Sequence, residues 1–252
     1  MTISLYRQYR RALKALPSTG RLMPYGWSPL PRQIDTQWLP YADMLEEFSR
    51  GLANVINDLT DKEWRLRAWA MVIAPLSDAQ KLATTREFID AVATVAVGLP
   101  YVIRCRFAFA VAHLCHQANQ LKTDPWTDDL PLDGELDQSH ADRCGKPWRR
   151  YRPLKQRLER INAKDFRQGT GDFRNVYTHR LEPHFVVGIS QLVSRQVLDD
   201  GRVRYIYGSQ PPLDLVAVAD LLATQRDRCY LAFEAFQALV DEHAEAIRSQ
   251  SR

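Results

Sequence analysis

Cysteine is scarce in this 252-residue chain: Cys105, Cys115, Cys144 and Cys229 lie too far apart for the dense disulfide framework of a small secreted fold. A reducing cytoplasm is the expected compartment. No uninterrupted apolar run of about 18 residues stands out, the length a spanning helix needs, so no membrane partner is expected. Internal repeats, a phosphate-cradling Gly loop, a dinucleotide fingerprint and a nucleophilic-serine signature are all missing. The first 34 residues hold no acid at all, only the cations Arg7, Arg10, Arg11, Lys14, Arg21 and Arg32. Lysine is rare as well: 27 of the 34 cationic residues are Arg, whose guanidinium grips phosphate bidentately. With 45% hydrophobic and 25% charged residues, enough apolar material remains for a sizeable core.

The net charge of +4 hides an uneven distribution. Between Lys122 and Asp142 one base faces seven acids (Asp124, Asp128, Asp129, Asp133, Glu135, Asp137, Asp142), and Pro125, Pro131 and Gly134 punctuate the stretch. This reads as an acidic loop over 123–142. From Arg143 to Arg180 twelve bases face three acids, which concentrates the positive field in one segment.

Apolar spacing predicts a mainly α protein, an antiparallel helical bundle with one inserted β-hairpin at about 184–208. Residues 1–39 read as a basic N-terminal helix over 2–16 and a linker punctuated by Pro17, Pro24, Pro29 and Pro31, packed on a helical domain at 40–252. The residues from Tyr41 to Leu59 share one helix face, Trp64 to Ile73 suggest a short helix, and Ser77 or Asp78 caps the next. A break is expected at Gly98-Leu99-Pro100, followed by an apolar helix over 101–121. Residues 148–164 predict a basic helix and 171–182 a shorter one. Two Val/Ile/Tyr-rich strands flank Asp199-Asp200-Gly201, a turn signal, and Asp214 starts the last helix.

The segment Gly169-Thr170-Gly171-Asp172-Phe173-Arg174-Asn175-Val176-Tyr177-Thr178-His179-Arg180 narrows the chemistry. An Arg and a His separated by four to six residues are uninformative here, since this composition yields roughly two such pairs by chance, and Arg106 with His113 is one. Requiring Asn directly after the Arg, at the single spacing of four intervening residues, lowers the chance expectation to about 0.01. Arg174-Asn175-x3-His179 resembles the motif of the HEPN superfamily (higher eukaryote and prokaryote nucleotide-binding domains), compact helical bundles with the motif near the start of a late helix. At 100° per residue, Asn175 and His179 lie about 40° apart on one face, and Arg174 about 140° from His179. The resemblance implies a metal-independent endoribonuclease with no cofactor, its composite site assembled from two protomers of a homodimer. His179 would then be the acid/base, Arg174 the phosphate ligand and Asn175 an orienting partner. It also implies a toxin or defence effector acting on single-stranded RNA or tRNA, with an antitoxin or other protein partner. The alternative is a non-catalytic HEPN-like module that binds RNA, a nucleotide or a protein.

The basic helix offers Arg149, Arg150, Arg152, Lys155 and Arg157 for phosphates, with Trp148 and Tyr151 for bases, and Arg180 adds a cation beside the motif. The acidic loop could fold over this surface as an internal competitor. Cys115-His116 and His140-x3-Cys144 make an awkward zinc chelate, and no metal is expected. His113 and His116 share a helix face and read as core or groove histidines. Either would become a second partner of the motif if the two helices packed together.

Overall fold

A computed structural model describes residues 2–17, 19–180, 183–188, 193–208 and 211–250. The protein is mainly helical, a helical bundle with one small antiparallel hairpin inserted before the last helix. The helices are α1 (Thr2–Ala15), α2 (Leu39–Ile73), α3 (Asp78–Thr84), α4 (Asp90–Ala118), α5 (Gln138–Gly145), α6 (Tyr151–Leu158), α7 (Lys164–Gly169), α8 (Phe173–His179) and α9 (Leu215–Gln250). The strands β1 (Val193–Val197) and β2 (Val203–Tyr207) pair in the register Val193 to Tyr207 and Val197 to Val203.

Two compact units divide the chain. The first comprises 1–19, 61–98 and 164–223, the second 20–60, 99–163 and 224–252. In the first, α1 buries Leu5 and Tyr9 while its cations stay in water. Tyr9 stacks on Trp69 at 4.4 Å and Trp69 on Phe88 at 5.0 Å, so an aromatic ladder fastens α1. Buried Glu63 is paired by Arg67, which also reaches Asp220 at 2.9 Å. In the second, Tyr41, Leu52 and Ile56 of α2, Ile103, Phe107 and Val111 of α4, and Phe233, Phe236 and Val240 of α9 are all buried. Their three- and four-residue spacing is the helical period that made these helices legible.

Several boundaries differ from expectation. Residues 39–73 form one helix, because Thr60 to Glu63 contain no breaker and both Thr60 and Glu63 are buried in partnered positions. Pro100 lies inside α4 without ending it. The missing N–H costs one bond of the ladder, and the buried neighbours Ala96, Leu99 and Ile103 hold the helix through it. The basic helix is shorter than 148–164: α6 stops at Leu158, and Asn162 turns the chain with a left-handed φ of 54° before α7. The acidic stretch runs into α5 from residue 138, started by the Asp137 carboxylate accepting the Ser139 N–H at 2.9 Å. The motif helix is confined to 173–179. Part of the first predicted strand, 189–192, lies outside the described residues; nearer the motif, Phe185 pairs with Leu213 in an isolated parallel bridge. The last helix begins as expected, with the Asp214 carboxylate accepting the Ala217 N–H at 2.8 Å.

One apolar stretch is long without being an uninterrupted run. The helical residues 78–121 are long and apolar enough, by length and composition, to cross a membrane. Arg104 and Arg106 break the run itself.

Candidate functional site

The motif is positioned by the turn that precedes it. Thr170 is buried, and its hydroxyl donates to the Phe166 carbonyl at 2.9 Å, tying the turn to α7. Gly171 and Asp172 then take left-handed conformations in succession, with φ of 60° and 52°, which reverses the chain within two residues. An L-residue with a side chain resists that conformation, and Gly and Asp are among the types that accept it. Phe173 is buried, with its ring 5.6 Å from that of Tyr177 and 5.0 Å from that of Phe185. One apolar edge of α8 is thereby anchored in the first unit.

Helical geometry sets the direction of the remaining side chains. With Phe173 buried and Tyr177 exposed, Asn175 and His179 lie about 160° and about 120° round the helix from the Phe173 anchor. Both are exposed, as are Arg174, Thr178 and Arg180. Asn175 donates to the Asp172 carboxylate at 3.1 Å, and the Thr178 hydroxyl donates to the Arg174 carbonyl at 2.8 Å. The structure thus brings Asn175 and His179 onto one solvent-facing surface, with Arg174 at its flank. Such a surface presents an imidazole and a guanidinium to a ligand but encloses neither. An enclosed site requires a second wall.

The basic helix differs from expectation in its aromatic members. Trp148 is 2% exposed and Tyr151 5%, so neither ring offers a face to a base. The Trp148 indole N–H donates to Asn119 at 2.8 Å, its ring meets His243 at 4.2 Å, and Lys122 lies over it at 4.5 Å. Tyr151 donates its hydroxyl to Asp142 and packs so closely on Gly145 that a Cβ there would sit 2.4 Å from the ring. The signal was present in the sequence. Trp148, Tyr151, Leu154, Leu158 and Ile161 recur at steps of three and four, and all five are buried.

The cations divide by surroundings. Arg149, Arg150 and Arg152 are exposed, Arg157 is half-buried, and Lys155 is bound to Asp142 at 2.7 Å. The backbone N–H groups of Arg149 and Arg150 donate to the Glu242 carboxylate at 3.1 and 2.8 Å, which caps the start of this segment. These residues belong to the second unit and the motif to the first.

The acidic loop has partners of its own. His116 Nε2 lies 2.9 Å from Asp128, the Trp126 indole donates to the His116 carbonyl at 3.2 Å, and Arg143 holds Asp129 at 2.6 Å. His113 Nε2 sits 3.2 Å from Asp133, within ion-pair range but without hydrogen-bond alignment. Burial lowers the His113 pKa, an effect that Asp133 opposes. These contacts engage the loop with the α4 histidines, and Asp142 is the acid that meets the basic helix. Of the four groups considered for zinc, Cys115 faces His243 at 3.7 Å, His116 lies 2.9 Å from Asp128 and His140 pairs with Asp137 at 2.8 Å.

A buried polar cluster forms the second unit's other concentration of titratable groups. His243 is 0% exposed; its Nδ1 lies 2.9 Å from the Tyr41 hydroxyl and its Nε2 faces the Cys115 thiol. Burial, with a smaller contribution from the Lys122 charge, pulls the His243 pKa down to about 3. The same burial raises Tyr41 and Cys115 well above their ordinary values, so all three are neutral near pH 7. A second basic feature lies on α1, the N-terminal helix whose cations the sequence displays: a depression of about 440 Å³ lined by Arg10, Arg11, Leu13 and Lys14.

No protein-family model, curated protein or solved structure matches this chain.

Proposed function

We propose that the protein is a metal-independent endoribonuclease of HEPN type, acting through α8. The observation that carries this reading is the outward face of that helix: Asn175 and His179 exposed together, Arg174 beside them, on a turn anchored by Phe173. In the reaction the RNA 2′-oxygen attacks the adjacent phosphorus and the bond to the 5′-oxygen breaks. A 2′,3′-cyclic phosphate and a free 5′-hydroxyl result. One imidazole accepts the 2′-hydroxyl proton and another protonates the leaving oxygen, while a guanidinium balances the charge on the phosphate.

A single α8 supplies one His and an open surface. Two copies facing each other across a twofold axis supply both proton carriers and the missing wall, which supports the homodimer as the working form. Nothing in this chemistry calls for a metal or cofactor. A toxin or defence role, with a neutralising protein partner, follows from the resemblance of the motif and belongs to the same proposal.

The test is cleavage of total RNA by purified protein in excess EDTA, beside His179→Ala and Arg174→Ala. Cleavage by wild type and its loss in both variants, with unchanged circular dichroism, is the expected result. Equal cleavage by all three overturns the assignment. The second reading, a module that binds RNA without cutting it, draws on the Asn175 to Asp172 hydrogen bond, which engages one motif side chain within its own turn. Binding without cleavage by the wild type is its signature.

A further inference from the structure

The hairpin of the first unit carries a feature that the α8 reading does not use. Directly opposed residues of an antiparallel pair share a face, so Val193, Arg195 and Val197 of β1 lie with Tyr207, Tyr205 and Val203 of β2 on one side of the ribbon. Every one of the six is exposed, Tyr205 at 62% and Tyr207 at 82%. The opposite face holds Ser194 and Ile206, both half-buried, and Arg204 hydrogen-bonded to Gln196. The ribbon thus leaves its aromatic side in water.

We propose that this face is a stacking platform for single-stranded RNA. The inference rests on the RNA-directed reading of the protein and names the form of RNA it takes. Three properties favour that occupant. Tyr205 and Tyr207 are two residues apart on one strand, so their rings rise about 7 Å apart, a separation that splayed bases of an extended strand span. Arg195 stands opposite Tyr205 on the same face with no acid among the six, which suits a phosphate between stacked bases. Size argues in the same direction: five-residue strands make a face roughly 17 Å by 10 Å, far below the ~800 Å² that each partner of a stable protein dimer buries. Two or three nucleotides fit it.

The experiment uses the full-length protein and a fluorescein-labelled ten-nucleotide 2′-O-methyl oligouridylate, which lacks the 2′-hydroxyl nucleophile and so reports binding alone. Fluorescence anisotropy is measured in EDTA for wild type, Tyr205→Ala/Tyr207→Ala and Tyr205→Phe/Tyr207→Phe. The Ala pair is expected to weaken binding by about tenfold for each ring removed, whereas the Phe pair, which keeps the π-faces, stays within about threefold of wild type. Arg195→Ala is expected to reduce the salt dependence by about one phosphate contact. Binding by the Ala pair as tight as wild type, or no binding by wild type, overturns the proposal. So does loss of self-association in the Ala pair, by sedimentation, with its oligonucleotide affinity preserved, since the face is then an interface between copies. Cleavage assays on His179→Ala separate the two readings. If wild type cuts RNA through His179 while the tyrosine variants bind normally, the platform alone falls; if the probe binds through the tyrosines and no RNA is cut, the nuclease alone falls.

Discussion

Acidification is expected to destabilise the second unit through one buried side chain. His243 is held neutral in the fold with a pKa of about 3, whereas the same imidazole in an unfolded chain titrates near 6.5. The unfolded state therefore binds the proton first. The stability that the neutral histidine contributes is complete above about pH 6.5 and is lost as the pH falls toward the folded value. At 1.36 kcal/mol per pH unit, the loss between about pH 7.5 and about pH 5 comes to about 2 kcal/mol. The geometry shows why the fold does not accommodate the charge: Nδ1 is already committed to the Tyr41 hydroxyl at 2.9 Å, and the Trp148 ring and the Cys115 thiol close the remaining sides. Urea unfolding of wild type and His243→Gln at the two pH values, followed by tryptophan fluorescence, isolates this contribution. The glutamine keeps an acceptor for Tyr41 and does not titrate. Wild type is expected to lose about 2 kcal/mol more than the variant between the two conditions. Equal losses refute the assignment of a depressed pKa to this site.

Other perturbations follow from the packing. Gly145→Ala places a Cβ within 2.4–2.7 Å of three Tyr151 ring atoms, and the variant is expected to lose about 1–3 kcal/mol by denaturant unfolding. Gly171→Ala meets no atom within 4 Å, so its cost is the left-handed backbone alone, about 1–2 kcal/mol, read as a lower melting temperature. Phe173→Ala removes the buried ring that fastens α8 against Phe185; the expected cost is about 3–5 kcal/mol, with RNA cleavage falling even though no motif residue is altered.

Much of the helical framework was legible because its signal is periodic. The spacing of Tyr41 to Leu59 and of Leu215 to Leu239 marks faces that are largely buried, and Asp214 caps α9 where its position suggested. Misplaced boundaries were those decided by tertiary contacts. A buried Glu63 with Arg67 beside it carries α2 through a polar stretch, and apolar neighbours carry α4 through Pro100. The basic segment misled for a different reason. Its charge density drew attention from a second pattern in the same residues, the three- and four-residue spacing that puts Trp148 and Tyr151 into the core. At α8 the residue types were visible in sequence. Their outward aim depends on consecutive left-handed residues at Gly171 and Asp172 and on the ring of Phe185, a partner that no local pattern announces.

The most direct measurement of the central claim is single-turnover cleavage of a defined, end-labelled RNA in EDTA by wild type and His179→Ala, with the product termini identified. The account predicts 2′,3′-cyclic phosphate and 5′-hydroxyl ends, and a rate at least about 100-fold lower in the variant. An unchanged rate in His179→Ala, or products ending in a 3′-hydroxyl, would contradict it.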